Sequence, residues 1–203
     1  MKLLKKRKFA ILLTIIVAII ATMIGVYSTS VRYTRDVEAM FYSGVEHKGE
    51  GYTQPGISSH LDNCVNAALN LATVLEKYPE LAGKSEDLLS ARRDLLAAVK
   101  ISDKSSAYIN MRTAFNDLLN AAVSVDLTER DMTATAQHFL LFNGAANAMS
   151  NSRYNEEVVG YLNGRSALMR FIGTFVPTRE PEFFSTVVFG NNITWPSDFP
   201  VSP

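Results

Sequence analysis

Residues 9–27 read FAILLTIIVAIIATMIGVY, a run of nineteen residues without a charge. As a helix this run is roughly 28 Å long, close to the roughly 30 Å of a bilayer's hydrocarbon core. Lys2, Lys5, Lys6, Arg7 and Lys8 stand immediately before it. A cleaved signal peptide also starts basic, but its apolar part is about 7–15 residues and ends at a small-x-small site. Ser28-Thr29-Ser30 is a poor site of that kind. The run therefore predicts a retained, single-pass transmembrane helix. The positive-inside rule places residues 1–8 in the cytoplasm and 28–203 outside. Arg32 and Arg35 follow the span, but a long domain translocates largely regardless of such charges. Tyr27 and Tyr33 suit the aromatic belt at the interface.

Outward from the span, composition excludes several classes. The chain carries 20 basic and 20 acidic residues; without the five N-terminal cations, 15 basic face 20 acidic. The exported part is thus mildly acidic, unlike a nucleic-acid binder with its basic stripe. The same count argues against a polybasic lipid-binding surface. Cys64 is the only cysteine, so the chain forms no internal disulfide. It shares a helical face with Leu61, Ala68 and Leu71 and reads as a small buried hydrophobe.

Helical periodicity organises the rest. Val37, Met40 and Phe41 continue the phase of the span, so the first helix extends toward residue 46. Residues 47–56 (HKGEGYTQPG) read as a loop. Ile57, Leu61, Cys64, Ala68, Leu71 and Leu75 form an apolar stripe, which Pro79 closes. A second stripe runs through Leu88, Leu89, Leu95, Leu96 and Val99, in a helix opened near Ser85. A third runs from Tyr108 through Met111, Phe115, Leu118 and Ala122 to Val125. Thr128 and Asp131 resemble a capping pair before Met132, Thr135, Phe139, Phe142, Ala146 and Met149. Gly144 costs about 1 kcal/mol inside that helix, and close helix packing is the expected reason. Tyr154, Val158, Tyr161, Leu168 and Ile172 make the last stripe. The expected fold is all-α: a transmembrane helix followed by an antiparallel up-and-down bundle of about four helices over residues 28–172. The Pro- and aromatic-rich tail, 173–203, either folds back on the bundle or docks a partner through Phe183, Phe184 and Trp195. Residues 190–203 read as a mobile terminus.

Motifs for chemistry are absent from the sequence. His47, His60 and His138 stand at no metal-ligand spacing, and there is no nucleophile elbow or phosphate loop. Asn192-Ile193-Thr194 is a glycosylation sequon, a three-residue pattern of low specificity. Asn63, Asn66 and Asn70 lie on one side of their helix and read as an exposed polar face. No catalytic, cofactor or metal residues are assigned.

The segment Arg153-Tyr154-Asn155-Glu156-Glu157-Val158-Val159-Gly160-Tyr161 resembles the motif on the last long helix of the LemA family. Gly173-Thr174-Phe175-Val176-Pro177 and Pro181-Glu182-Phe183-Phe184 are similar to that family's ending. Leu162 departs from it, standing where the family has a second Asn. The resemblance implies a membrane-anchored helical bundle of poorly understood role, with no catalytic residues to carry over. Read from the residues, Arg153, Tyr154, Asn155, Val158 and Tyr161 are structural, the two tyrosines being core aromatics. The expected role is a non-enzymatic interaction or scaffold module of the cell envelope. The alternative is an extracytoplasmic sensor that binds a small ligand between helices and works with a partner subunit. Expected partners are the bilayer, through residues 9–27, and other envelope proteins; a homo-oligomer is also open, whereas nucleic acid is not expected.

Overall fold

A computed structural model describes residues 2–47, 49, 51–165, 167–174 and 179–186, with the backbone alone at 2–5, 47, 167, 168 and 172. Of the described residues, 78% are helical: one long apolar N-terminal helix is followed by a helical bundle. In order, the elements are α1 (Lys2–Ser43), β1 (Val45–His47), β2 (Tyr52–Gln54), α2 (Ile57–Leu75), α3 (Ala82–Ala97), α4 (Ile101–Ala122), α5 (Glu129–Ser150), α6 (Tyr154–Gly164) and α7 (Ala167–Gly173). They divide into two compact units, Met1–Ala39 with Glu156–Pro181, and Met40–Asn155 with Glu182–Pro203.

The second unit holds the bundle. α2 packs along both α5 and α3, and α3 packs along α4. The expected stripe on α2 is buried at every position from Ile57 to Leu75. Tyr108, Met111, Phe115, Leu118 and Ala122 line the inner face of α4. Thr135, Phe139, Phe142, Ala146 and Met149 do so on α5. Helix α3 departs from expectation. It starts at Ala82 rather than near Ser85, and Leu96 and Val99 are exposed, at 53% and 82%. The chain breaks at 98–100, with Ala98 in extended conformation, so the phase does not carry through to Val99.

The loop expected over 47–56 is in part a two-stranded antiparallel hairpin, pairing Val45 with Gln54 and His47 with Tyr52. Gly44 ends α1 with φ +93° and donates its N–H to Met40. A Cβ there would collide with the carbonyl oxygen of Gln54. This is the left-handed helix stop that glycine adopts at no steric cost.

The capping pair forms as expected. Thr128 Oγ1 accepts the Asp131 N–H at 3.3 Å and donates to Asp131 Oδ2 at 2.6 Å. Lys77 Nζ and the Tyr78 hydroxyl also donate to that carboxylate, at 2.7 and 2.5 Å. Asp131 is buried, and these donors, Lys77 foremost, hold its carboxyl well down, at about 2.

In the first unit, the 18-residue window of highest hydropathy in α1 averages 2.8, and none of it is buried. Thr14 and Thr22 lie in the apolar run and donate their hydroxyls to the carbonyls of Ala10 and Ala18, four residues back. Both polar groups are thereby satisfied within the helix. The last expected stripe does not form one helix: α6 ends at Gly164 and α7 starts at Ala167.

Candidate functional site

The tail residues 181–186 bear directly on the docking expectation. Phe184 is fully buried within the second unit. Its ring lies 5.4 Å from Phe41 and 5.8 Å from Tyr108, centroid to centroid. From Tyr108 the aromatic core runs on to Phe142, which stacks on Phe115 at 4.1 Å. Phe184 is therefore a core residue: at this position the tail folds back on the bundle, one of the two readings the sequence left open, and is not available for docking. Phe183 beside it remains 47% exposed. Trp195, the sequon, residues 175–177 of the family-like ending and the 190–203 terminus lie outside the described residues.

Two motif residues hold this segment. Asn155 donates Nδ2–H to the Phe184 carbonyl at 2.7 Å and accepts the Phe184 N–H on Oδ1 at 3.1 Å. One side-chain amide thus pairs with a peptide as a neighbouring strand would. The Tyr154 hydroxyl donates to the Glu182 carbonyl at 2.6 Å. From α4, Ser105 makes a second reciprocal pair, donating to Ser185 O at 3.1 Å and accepting Ser185 N–H at 2.9 Å. Arg112 donates to the Thr186 carbonyl at 2.8 Å. The Arg153 N–H donates to Gln54 Oε1, and Gln54 Nε2 donates to the Asn151 carbonyl, both at 3.1 Å. In the first unit, Val158 is fully buried and the Tyr161 hydroxyl lies 3.0 Å from Ser30 Oγ. Among the described contacts, Tyr154 and Asn155 of the motif act as clasps on the 181–186 segment.

The other candidate is a groove of about 430 Å³ on the second unit, between α2 and α5. Asn63, Asn66 and Asn70 form its α2 wall, an exposed row as expected, with His60 at one end. Burial lowers the His60 pKa below the ordinary imidazole value. Leu140, Leu141, Gly144, Ala145 and Ala148 form the α5 wall. Leu140 and Leu141 are 50% and 60% exposed. The sequence reading missed these leucines; the signal was that they fall off the stripe through Thr135, Phe139 and Phe142. A Cβ built on Gly144 meets nothing within 4 Å. Close packing inside the fold is therefore not the reason for this glycine, contrary to expectation.

Cys64 is fully buried, and its thiol donates to the Phe142 carbonyl at 3.7 Å. Burial pushes its pKa up to about 12, which removes thiolate chemistry. Among the described residues, no three His, Cys, Asp or Glu side chains gather as a metal site. No protein-family model matches the chain, and neither a curated protein nor a solved structure is significantly similar to it.

Proposed function

We propose that this protein is a membrane-anchored helical module of LemA-like type that presents a docking surface to other envelope proteins. The uncovered apolar stretch of α1 supports the anchor, because a bilayer is the cover that an exposed 18-residue window of this hydropathy calls for. The clasps of Tyr154 and Asn155 support the family reading, since they account for motif residues that carry no chemistry.

The observation that carries the docking surface is Gly144. It weakens α5 by about 1 kcal/mol relative to Ala and relieves no clash with the described residues. It faces a groove floored by small residues, where the backbone of an incoming helix can approach closely. The occupant that fits is an amphipathic helix of another envelope protein. Its apolar side would meet Leu140 and Leu141, and its polar edge the Asn63–Asn66–Asn70 amides.

A photoreactive amino acid at Leu141, in the full chain in intact membranes, tests this against the same group at Leu96, which is 53% exposed on α3. The Leu141 probe is expected to give a discrete adduct that a further Gly144→Trp substitution abolishes. Gly144→Ala alone should stabilise the protein by a few tenths to about 1 kcal/mol. Matching adducts from Leu141 and Leu96 would reject the groove.

A further inference from the structure

We infer that helix α7 rests on the membrane surface, with Phe171 in the interfacial layer and Arg170 facing anionic lipid. The inference rests on the membrane reading of α1 and concerns the first unit alone. One stripe of α1 is covered: Met23 and Val26 are half-buried, and Ser30, Thr34 and Val37 are buried. Steps of three and four separate these positions, so they form one helical face. The rest of this unit is the segment 156–181, whose Tyr161 and Arg179 meet α1 at Ser30, Thr34 and Glu38.

The covered stripe begins at Met23, inside the apolar run and about one turn before its last residue, Tyr27. Tyr161 is fixed at Ser30, about 4.5 Å along the helix axis beyond Tyr27 at 1.5 Å per residue. Its ring also lies 6.2 Å from that of Tyr33. The chain returns at Arg179, which bonds Glu38 at 2.8 Å and accepts from Thr34 Oγ1 on its carbonyl. Arg165 and Glu180 close the base of this excursion at 2.6 Å. The excursion therefore leaves α1 at the level of the bilayer edge and comes back farther out.

Its composition suits that place. Between Glu157 and Glu180 there is no acidic residue, and Arg165, Arg170 and Arg179 are the charges. Helix α7 reads ALMRFIG, and its Phe171 ring is 64% exposed. An exposed aromatic side chain beside arginine suits a segment lying in the headgroup layer. The guanidinium charge favours an anionic leaflet. A lipid surface is the committed occupant because the span that enters it lies in the same unit.

The test uses the full chain in mixed phosphatidylcholine–phosphatidylglycerol vesicles, with Trp195→Phe as background and bromine placed at shallow or deep acyl positions. Phe171→Trp should lose most of its emission to shallow bromines, and less to deep ones. Adding Arg170→Glu should relieve that quenching in the mixed vesicles. Ile16→Trp reports the span and should be quenched by deep bromines. Quenching at Ile16 without quenching at Phe171 overturns the inference and leaves the anchor standing. So does a Phe171→Trp emission that is blue-shifted but unquenched, which would place that side chain against protein. No quenching at either position overturns the membrane reading, and the inference with it.

Discussion

Asn155 shows how much one side chain decides here. Its amide satisfies both polar groups of the buried Phe184 peptide, and a buried donor or acceptor left without a partner costs about 1–3 kcal/mol. Asn155→Leu should therefore lower stability by about 2–4 kcal/mol, read as the urea midpoint of the detergent-solubilised chain. An unchanged midpoint would show that the 181–186 segment holds without the clasp. Asp131 works through charge. Its carboxyl titrates near 2 when folded and near 3.8 when free, so the folded pKa is depressed. The stability it contributes is present above the free value and is lost as pH falls through the folded one. Asp131→Asn should cost about 2 kcal/mol at neutral pH. The gap in thermal midpoint between variant and parent should close as pH approaches 2. A gap that persists in acid would mean that Asp131 acts by packing rather than charge.

At the scale of elements, the hairpin between α1 and α2 depends on glycines that differ in kind. Gly44 and Gly49 both have positive φ, at +93° and +104°. At Gly44 an added Cβ meets the Gln54 backbone, whereas at Gly49 it meets nothing within 4 Å. Backbone strain alone costs about 1–3 kcal/mol at such a position. Gly49→Ala should stay within that range and Gly44→Ala should exceed it, since the peptide of β2 has to move. Comparing the two unfolding midpoints checks this, and equal losses would remove the steric argument. The break between α6 and α7 is likewise local. No stripe runs unbroken from Tyr154 to Ile172, because α6 ends at Gly164 and α7 starts anew at Ala167.

For the whole molecule, the decisive question is which side of the membrane each end occupies. Cys64 is buried and its thiol titrates near 12, so it serves as a silent background for introduced thiols. Val99 is 82% exposed. In intact cells with an opened outer layer, Val99→Cys should react with a membrane-impermeant maleimide, while Lys6→Cys should react only after the membrane is permeabilised. The parent chain should label only when denatured. The reverse pattern for Val99→Cys and Lys6→Cys would invert the proposed topology.

By itself the sequence determined the elements that depend on local regularity. The charge-free run of 9–27 makes a long apolar helix because nineteen consecutive residues exclude any other pattern. The stripes of α2, α4 and α5 are legible because burial on one helical face repeats every three or four residues. The Thr128–Asp131 cap is legible because its partners lie three residues apart. Tertiary structure alone decided what rests on distant pairs. Phe184 lies 143 residues from Phe41 in the chain, and no local spacing distinguishes it from exposed Phe183. The groove depends on which faces of α2 and α5 remain uncovered after packing, and burial on the opposite faces sets that. Asn155 reads as an ordinary helix-surface amide until the chain returns and places the Phe184 peptide against it.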